Sequence, residues 1–308
     1  MPTLTEKKET RKLSGLVVSY FGSSVAVEAE DGQVFQCHLR RNQTLPVVGD
    51  NVIWQLETGN TGIIHEILPR KSLLSRGDGH DKVKPIAANI DIILLAMSPP
   101  PILSPYLLDR YLVAAELLNI QPVIVLNKSD LLSSETNQEA HEILDPYEKI
   151  GYAVVYTTVM KEDGLDSLKN ILKGKSAVLV GPSGVGKSSI IAKLNIKDTI
   201  RIGDVSPKGA GKHTTTATRL YHLPDGGSLI DSPGVREFNL WPTTKAEIFR
   251  GFRELNTYAT GCKFRDCSHT VEPGCAVQKA VEEGKINAGR FAHFLELTKK
   301  SKNNDKKS

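Results

Sequence analysis

A glycine-rich segment at residues 181–188 carries the strongest chemical signal in this sequence. It reads Gly-Pro-Ser-Gly-Val-Gly-Lys-Ser and fits the Gly-x-x-x-x-Gly-Lys-Ser/Thr pattern of a phosphate-binding loop. Glycines let successive backbone N–H groups converge on phosphate oxygens, and the start of the following helix adds partial positive charge. We expect Lys187 to lie between the outer two phosphates of a nucleotide and the Ser188 hydroxyl to coordinate Mg²⁺. The alternative is a glycine-rich turn without a ligand, which the flanking apolar strand and helical pattern disfavour.

A second motif, Asn-Lys-Ser-Asp at residues 127–130, indicates which base the nucleotide carries. Asp130 can accept hydrogen bonds from N1–H and the 2-amino group of guanine, two donors that adenine lacks. A site built around those donors rejects an analogue without them by a factor on the order of 10⁴. Asn127 would brace the loop, and Lys128 would lay its aliphatic stem along the ring. A polar turn after a strand is the alternative, but together with the phosphate loop the motif predicts GTP and not ATP.

The third motif is Asp-Ser-Pro-Gly at residues 231–234, at the end of another apolar stretch. We expect Asp231 to reach Mg²⁺ through water and the Gly234 N–H to lie near the γ-phosphate. Many GTPases next carry a glutamine that orients the attacking water, whereas this chain has Val235. Hydrolysis is therefore either very slow or dependent on another group.

A polar loop at residues 208–216 offers such a group, since His213 is followed there by three threonines. One threonine can cap Mg²⁺ when GTP is bound, and Thr215 is our candidate, although the sequence does not distinguish it from its neighbours. His213 could position water. On the residues alone, an exposed loop histidine without a role is an equal alternative.

The order of these motifs is reversed relative to most GTPases, because the base-reading motif precedes the phosphate loop. Such a circular permutation still folds, since the termini of a domain usually lie close together at its surface. The chain that follows Asp231 then runs directly into the next domain.

These motifs together resemble the ribosome small-subunit-dependent GTPase A (RsgA) family over about residues 15–297. The resemblance implies an N-terminal oligonucleotide-binding barrel, a circularly permuted GTPase domain and a C-terminal zinc domain. It also implies action in late maturation of the small ribosomal subunit, which stimulates the GTPase, and a role for His213 in hydrolysis. The chain departs from the family at residues 158–159, where Thr-Val replaces the frequent Ser-Ala; backbone contacts to the base survive that change, so Thr158 is kept as a candidate.

The candidate nucleotide-site residues fall into three sets. The GTP-binding set is Asn127, Lys128, Ser129, Asp130, Thr158, Gly181, Pro182, Ser183, Gly184, Val185, Gly186, Lys187, Ser188, Ser189, Asp231 and Gly234. The Mg²⁺ ligands are Ser188, Thr215 and Asp231. The catalytic candidate is His213.

Three cysteines and a histidine near the C-terminus have spacing typical of a zinc site: Cys262, Cys267, His269 and Cys275. Three thiolates and one imidazole match tetrahedral Zn²⁺ in a reducing compartment. All four positions are filled by protein, so we expect one structural ion that folds a segment poor in apolar residues. Three buried thiols beside an unrelated histidine are the alternative.

The periodicity of apolar residues predicts that these motifs lie within a multidomain fold. Five short strands within residues 15–68 and a turn at Asp31-Gly32 predict an oligonucleotide-binding (OB-type) β-barrel, with Cys37 in its core. Strands alternate with helices from about residue 84 to 240, which predicts an α/β P-loop GTPase domain with a mostly parallel sheet. The expected divisions are a flexible N-terminus at 1–14, the barrel at 15–75, the permuted GTPase domain at 80–240, a small helical zinc-binding domain at 241–298 and a basic disordered tail at 299–308.

Charge and composition limit the kinds of partner that the protein can have. Residues 241–308 hold thirteen basic and eight acidic side chains, whereas the first 240 residues carry a net charge of −1. The basic tail could attract phosphate backbones or only aid solubility. In the barrel, Arg40 and Arg41 are the local hint of RNA binding, and a solvated strand end is an equal alternative. No apolar run approaches the length of a membrane span, and four cysteines do not suggest a disulfide scaffold; we expect a cytoplasmic protein that does not bind membranes.

The predicted function is hydrolysis of GTP to GDP and phosphate by a monomer that binds the small ribosomal subunit and its 16S rRNA. The alternative is a nucleotide-gated ribonucleoprotein-binding module in which hydrolysis is incidental. A permuted GTPase that serves a different RNA or protein is disfavoured by the presence of both barrel and zinc domain.

Overall fold

The computed structural model describes residues 12–22, 24–39, 44–57, 61–77, 83–99, 103–194, 218–232 and 243–301. The predictions for His213, Thr215 and Gly234 therefore lie outside the described residues, as do those for Arg40 and Arg41 and for residues 302–308 of the tail. In the described part of the chain, no helix is long and apolar enough to cross a membrane.

The first five strands close into a barrel, as predicted. They are β1 (Lys12–Tyr20), β2 (Val25–Ala29), β3 (Val34–Leu39), β4 (Asn51–Leu56) and β5 (Thr61–Ile67). The strands follow the order β1-β2-β3-β5-β4, and β4 returns to pair with β1. Strand β1 begins before the predicted residue 15, because its first residues already pair with β4 in that closing seam.

The barrel core forms around the fully buried side chain of Trp54. Cys37 is also fully buried in this cluster, which confirms it as a core residue. Gly62 lies so close that an added Cβ would be 2.6 Å from the Trp54 ring and 2.8 Å from the Cys37 sulfur. Only glycine therefore fits at this position, and the large indole fills the space that a side chain would take.

A small hairpin links the barrel to the next domain, and the sequence patterns did not predict it. It consists of β6 (Leu73–Gly77) and β7 (Val83–Ala88), which pair only with each other among the named strands. The buried Asp50 carboxylate fixes the connection, since it accepts from Arg70 Nε at 2.7 Å and Arg70 Nη2 at 2.8 Å. Such a bidentate ion pair orients both partners.

The central domain alternates strands and helices. In chain order they are β8 (Ile92–Met97), α1 (Pro105–Leu117), β9 (Gln121–Leu126), α2 (Ser134–Lys149), β10 (Ala153–Tyr156), α3 (Asp166–Leu172), β11 (Ser176–Val180), α4 (Lys187–Lys193), β12 (Arg219–His222) and β13 (Ser228–Asp231). The sheet order is β10-β9-β8-β11-β13-β12. All pairs are parallel except β12 with β13. Helices α1 and α2 cover one face, and α3 and α4 cover the other.

Strand β12, which was not predicted, joins the two domains. It pairs antiparallel with β1 of the barrel, where Ser19 lies opposite Arg219. Barrel and central sheet thus form one continuous sheet. A short strand with two neighbours satisfies backbone groups that an edge strand would leave exposed.

The C-terminal region is helical and packs on α1. It contains α5 (Lys245–Arg250), α6 (Arg253–Ala259), α7 (Ala276–Glu282) and α8 (Ala288–Lys300). Phe294 is buried in a cluster that includes Val113 of α1, and Phe291 and Leu295 pack against it. The aromatic face of α8 is therefore used inside the molecule.

Candidate functional site

The phosphate-binding loop has the backbone shape that its sequence predicts. It joins β11 to α4, and Gly184 and Gly186 have φ values of 84° and 95°. A Cβ on Gly181 would lie 2.2 Å from the Ala96 carbonyl oxygen, and one on Gly186 would lie 2.4 Å from Asn127 Nδ2. Side chains at these positions would displace the loop, so glycine is required by both conformation and space.

Lys187 is held at the mouth of this loop. Its Nζ donates to the carbonyl oxygens of Gly181 and Pro182, each at 2.7 Å. The two bonds hold the ammonium charge against the backbone of the loop. Ser188 and Ser189 are exposed at the start of α4. The arrangement can bind an anion.

The loop borders a cavity of 770 Å³, a volume typical of small-molecule sites. The lining includes residues of the candidate set, namely Lys128, Pro182, Ser183, Gly184, Gly186, Lys187, Ser188 and Ser189. Leu107 and Tyr111 of α1 complete it. Sequence reasoning missed these two residues, because an apolar residue on a helix looks the same whether it faces a core or a ligand.

The base-reading motif and the phosphate loop touch directly, although the sequence separates them. Asn127 is buried after β9, and its Nδ2 donates to the Val185 carbonyl oxygen at 2.8 Å. Its Oδ1 accepts from Thr157 Oγ1 at 3.1 Å. Lys128 has a left-handed backbone with φ of 61°, and its Nζ donates to the Gly184 carbonyl oxygen at 2.7 Å. Two predicted motifs thus form one hydrogen-bonded unit.

Asp130 is oriented by Thr158. The Thr158 hydroxyl donates to Asp130 Oδ1, and it accepts from the Met160 backbone N–H at 3.1 Å. Asp130 is exposed to solvent whereas Thr158 is buried. Thr158 therefore acts through its hydroxyl, beyond the backbone contacts expected from the sequence. Ser129 joins the same group, because its N–H donates to the Thr157 carbonyl oxygen at 3.0 Å.

Asp231 lies at the carboxyl end of β13, next to the strand that leads into the phosphate loop. Strands β11 and β13 are parallel, with Val178 opposite Ile230. Ligands gather at such carboxyl ends. The structure brings Asp231 to the same edge of the sheet as the two other motifs.

The four candidate metal ligands converge in the C-terminal region. Their ligand atoms all lie within 4.8 Å of one another. His269 Nδ1 is 3.6 Å from Cys262 Sγ and 3.4 Å from Cys275 Sγ. These separations are compatible with a tetrahedral Zn²⁺ with metal–ligand distances of about 2.0–2.3 Å. The cluster could hold a metal ion.

The protonation chemistry of His269 and Cys262 agrees with metal binding, whereas burial raises the pKa of Cys267 to about 12. Burial lowers the pKa of His269, which favours the neutral imidazole that a metal needs. Burial acts to raise the pKa of Cys262, but backbone N–H groups of Val277 and Ala276 at the start of α7 outweigh it and lower that pKa. The thiolate that a metal requires is favoured there.

The fold and these sites define a circularly permuted P-loop GTPase with an N-terminal barrel and a small helical domain that could hold a metal. A model of the RsgA GTPase family matches residues 67–241. The chain is 45% identical to the Small ribosomal subunit biogenesis GTPase RsgA of Pseudomonas putida, over 92% of this chain and 84% of that protein. For the Photorhabdus laumondii protein of the same name the identity is 44%, over 95% of this chain and 86% of the relative.

Two solved structures have the same architecture. YjeQ from Thermotoga maritima superimposes with a TM-score of 0.77 at 31% identity, covering 94% of this chain and 98% of that one. YloQ, described as a circularly permuted GTPase, gives a TM-score of 0.74 at 30% identity, covering 98% of both chains. The chain therefore belongs to the RsgA GTPase family and is an enzyme that hydrolyses GTP. The predicted family and fold class are confirmed.

Proposed function

We propose that this GTPase acts in late maturation of the small ribosomal subunit and binds that subunit through its 16S rRNA. The relatives named for small-subunit biogenesis support the process, since they match more than nine-tenths of the chain. The observation that carries the nucleotide assignment is the direct bonding of Asn127 and Lys128 to the phosphate loop. One pocket can thus read guanine and bind phosphate together.

In this proposal, different GTP-binding residues contact different parts of the nucleotide. Asp130, held by Thr158, accepts from the two guanine donors, and Lys128 lies along the base. The N–H groups of residues 181–188 and the Lys187 ammonium bind the phosphates. Gly234 contacts the γ-phosphate from the Asp-Ser-Pro-Gly segment.

The proposed Mg²⁺ ligands are Ser188, Thr215 and Asp231. Hydroxyl and carboxylate oxygens suit this hard cation, which keeps several waters in such sites. When bound, Mg²⁺ neutralises charge on the β- and γ-phosphates as the phosphoryl group transfers.

His213 is proposed to orient the attacking water. Val235 has no polar atom with which to do so, and His213 follows the glycine-rich part of the neighbouring polar loop. Turnover is therefore slow in isolation and rises when the subunit holds His213 in place.

The Cys-Cys-His-Cys cluster is proposed to hold one structural Zn²⁺. The four donors are those that zinc prefers, and they leave no position for a substrate. We further propose that the protein is a cytoplasmic monomer with the domain divisions given above, including residues 241–298 as the zinc-binding domain.

The test is the rate of GTP hydrolysis by the purified protein at low salt, with and without purified small ribosomal subunits. We expect the subunits to raise the rate at least about tenfold, since completing a phosphoryl-transfer site has effects of this size or larger. Large ribosomal subunits at the same concentration are the control. An unchanged rate with small subunits would refute the partner.

A second candidate function is a nucleotide-gated binding module in which hydrolysis is incidental. Val235 favours this alternative, because its side chain cannot orient the attacking water. Single-turnover kinetics on the complex with the subunit separate the two. The enzymatic cycle requires hydrolysis no slower than release from the subunit, whereas the binding module predicts release first.

A further inference from the structure

The barrel reaches the GTPase site through three neighbouring strands. Ser19 of β1 lies opposite Arg219 of β12, and Arg219 lies opposite Asp231 of β13. These residues form one row across β1, β12 and β13. The barrel is therefore two strands away from the carboxylate that we assign to Mg²⁺.

Thr218, immediately before β12, contacts both neighbouring strands. Its carbonyl oxygen accepts from Ser19 Oγ at 3.2 Å and from the Tyr20 N–H at 3.4 Å. Its Oγ1 lies 2.8 Å from Ser232 Oγ, a hydrogen-bond distance. Ser19 and Ser232 are buried, so water competes little for these bonds.

The position of Thr218 in the chain adds to the significance of these contacts. It lies two residues after the end of the polar segment 208–216, which includes Thr215, and Ser232 follows directly after Asp231. The Thr218–Ser232 hydrogen bond therefore joins residues that lie three positions after Thr215 and one position after Asp231, two of the three predicted Mg²⁺ ligands. Fixing Ser232 limits the directions in which the adjacent Asp231 carboxylate can point.

We propose that Thr218 is a positioning residue for GTP hydrolysis, which holds the Asp231–Ser232 corner through its hydroxyl and anchors it to barrel strand β1 through its carbonyl. The inference rests on the proposed role of Asp231 at Mg²⁺. Because coupling between sites is reciprocal, a ligand that moves β1 changes the geometry at Asp231, and Mg²⁺·GTP changes the barrel. The barrel is thus part of the catalytic apparatus as well as a binding domain.

The first test compares Thr218→Val with Thr218→Ser in single-turnover GTP hydrolysis by the full-length protein over a range of Mg²⁺ concentrations. Val keeps the branched shape and loses the hydroxyl, whereas Ser keeps the hydroxyl and loses a methyl group. For Val we expect the rate at limiting Mg²⁺ to fall about fivefold and the half-saturating Mg²⁺ concentration to rise about as much, the effect of one hydrogen bond. For Thr218→Ser we expect the rate at limiting Mg²⁺ and the half-saturating Mg²⁺ concentration to stay close to the wild-type values.

A purely structural role for Thr218 gives a different pattern. Packing would be preserved by Val and impaired by Ser, and neither variant would shift the Mg²⁺ dependence. GDP affinity measured without Mg²⁺ should stay at the wild-type value in both variants, because the Mg²⁺ corner does not contact GDP under that condition. A wild-type Mg²⁺ dependence in Thr218→Val would overturn the proposal. So would an equal loss of hydrolysis rate in Thr218→Val and Thr218→Ser.

The second test addresses the barrel side of the junction. Ser19→Ala removes the barrel hydroxyl that donates to Thr218, and we expect the half-saturating Mg²⁺ concentration to rise about twofold to fivefold. Ser24→Ala is the matched control, since Ser24 is also a buried barrel serine but its hydroxyl accepts from Gln36 Nε2 at 3.0 Å within the barrel. Equal behaviour of the two variants would refute a link through β1.

These outcomes are separable from those of the proposed function. If small ribosomal subunits fail to stimulate the wild-type protein, the partner is wrong but the Mg²⁺ comparison of variants still holds. If stimulation occurs and Thr218→Val hydrolyses GTP with wild-type Mg²⁺ dependence, only the positioning role fails.

Discussion

Single hydroxyl groups set the geometry of the nucleotide site at the scale of residues. Thr158 donates to Asp130, and Thr157 donates to Asn127 at 3.1 Å. An exposed carboxylate such as Asp130 has many orientations, and a buried donor that restricts them lowers the entropy cost of binding guanine. We therefore expect base selectivity to depend on the loop at residues 157–160 as well as on the motif itself.

Thr158→Val should weaken GDP binding about tenfold, because Asp130 loses the hydrogen bond from Thr158 that orients it. Titration calorimetry of the purified protein with GDP measures the change. Thr158→Ser retains the hydroxyl and should bind GDP with near wild-type affinity. If Val binds as tightly as Ser, the hydroxyl does not position the carboxylate.

For His213→Ala we expect retained GTP affinity and loss of the turnover that small subunits stimulate. The reason is that Val235 cannot orient water, so no polar side chain at that position can replace the imidazole. General base or water-positioning groups typically contribute on the order of 10²-fold or more. Steady-state rates with and without subunits check this, and full stimulated activity in the variant would remove His213 from the mechanism.

At the scale of elements, β12 pairs with β1 on one side and with β13 on the other, and a side-chain pair adds a further contact. His222 Nε2 lies 2.6 Å from Glu28 Oε2 of β2. The hydrogen bond that His222 donates to the Glu28 carboxylate raises the pKa of His222 above its usual value of 6.5, although burial opposes this. The pair adds a second contact between barrel and GTPase sheet.

This contact gives stability a defined pH dependence. The pKa of His222 is higher in the folded state than in the unfolded state. Its ion pair with Glu28 therefore contributes fully to the free energy of unfolding at pH values below the unfolded-state pKa, and this contribution is lost as the pH rises through the folded-state pKa. We expect the loss of unfolding free energy caused by Glu28→Gln to be larger at about pH 6 than at about pH 9. Urea denaturation of the wild-type protein and the variant at both pH values measures this change in unfolding free energy.

The exposed i,i+4 pair formed by Lys149 and Asp145 supplies the control for that experiment. Asp145→Asn should change stability by nearly the same small amount at both pH values, since this exposed pair contains no histidine and exposed ion pairs contribute little. A Glu28→Gln effect that is equal at both values would show that His222 does not carry the contact.

At the scale of the whole molecule, α1 connects the nucleotide cavity to the C-terminal helices. Leu107 and Tyr111 line the cavity, whereas the buried Asp109 forms an ion pair with Arg290 of α8. Arg290 also donates to Glu254 of α6, with Nε at 2.6 Å and Nη2 at 3.0 Å. A buried network satisfied in this way fixes orientation, since losing one partner leaves a buried charge uncompensated.

The proposed zinc site is expected to be the other determinant of the C-terminal region. Cys262→Ala should eliminate bound zinc and lower the melting temperature, because structural zinc contributes on the order of 10 kcal/mol to folding in small domains. Elemental analysis and thermal unfolding measure the two effects. The core variant Cys37→Ala should lose stability through its cavity while retaining the wild-type zinc content, and equal zinc contents in the two variants would refute the assignment.

Much of the fold could be predicted from local patterns. Strands β3 and β4 alternate in burial, whereas β2 begins with three consecutive buried residues. The strand before the phosphate loop is a nearly continuous buried run. In contrast, β12 spans only Arg219–His222, too short for a clear period, and α5 and α6 are short helices joined by two residues. Their existence depends on packing partners that lie far away in the chain.

The sequence by itself predicts the chemistry: which loop would bind phosphate, which carboxylate would select guanine and which four side chains could hold a metal. These depend on residue types at short spacings, which backbone geometry translates directly into a site. Tertiary structure alone decided that Thr218 meets Ser19 and Ser232, and that Arg290 meets Asp109, 181 residues away. Such contacts form only when separate elements pack, and no local pattern records them.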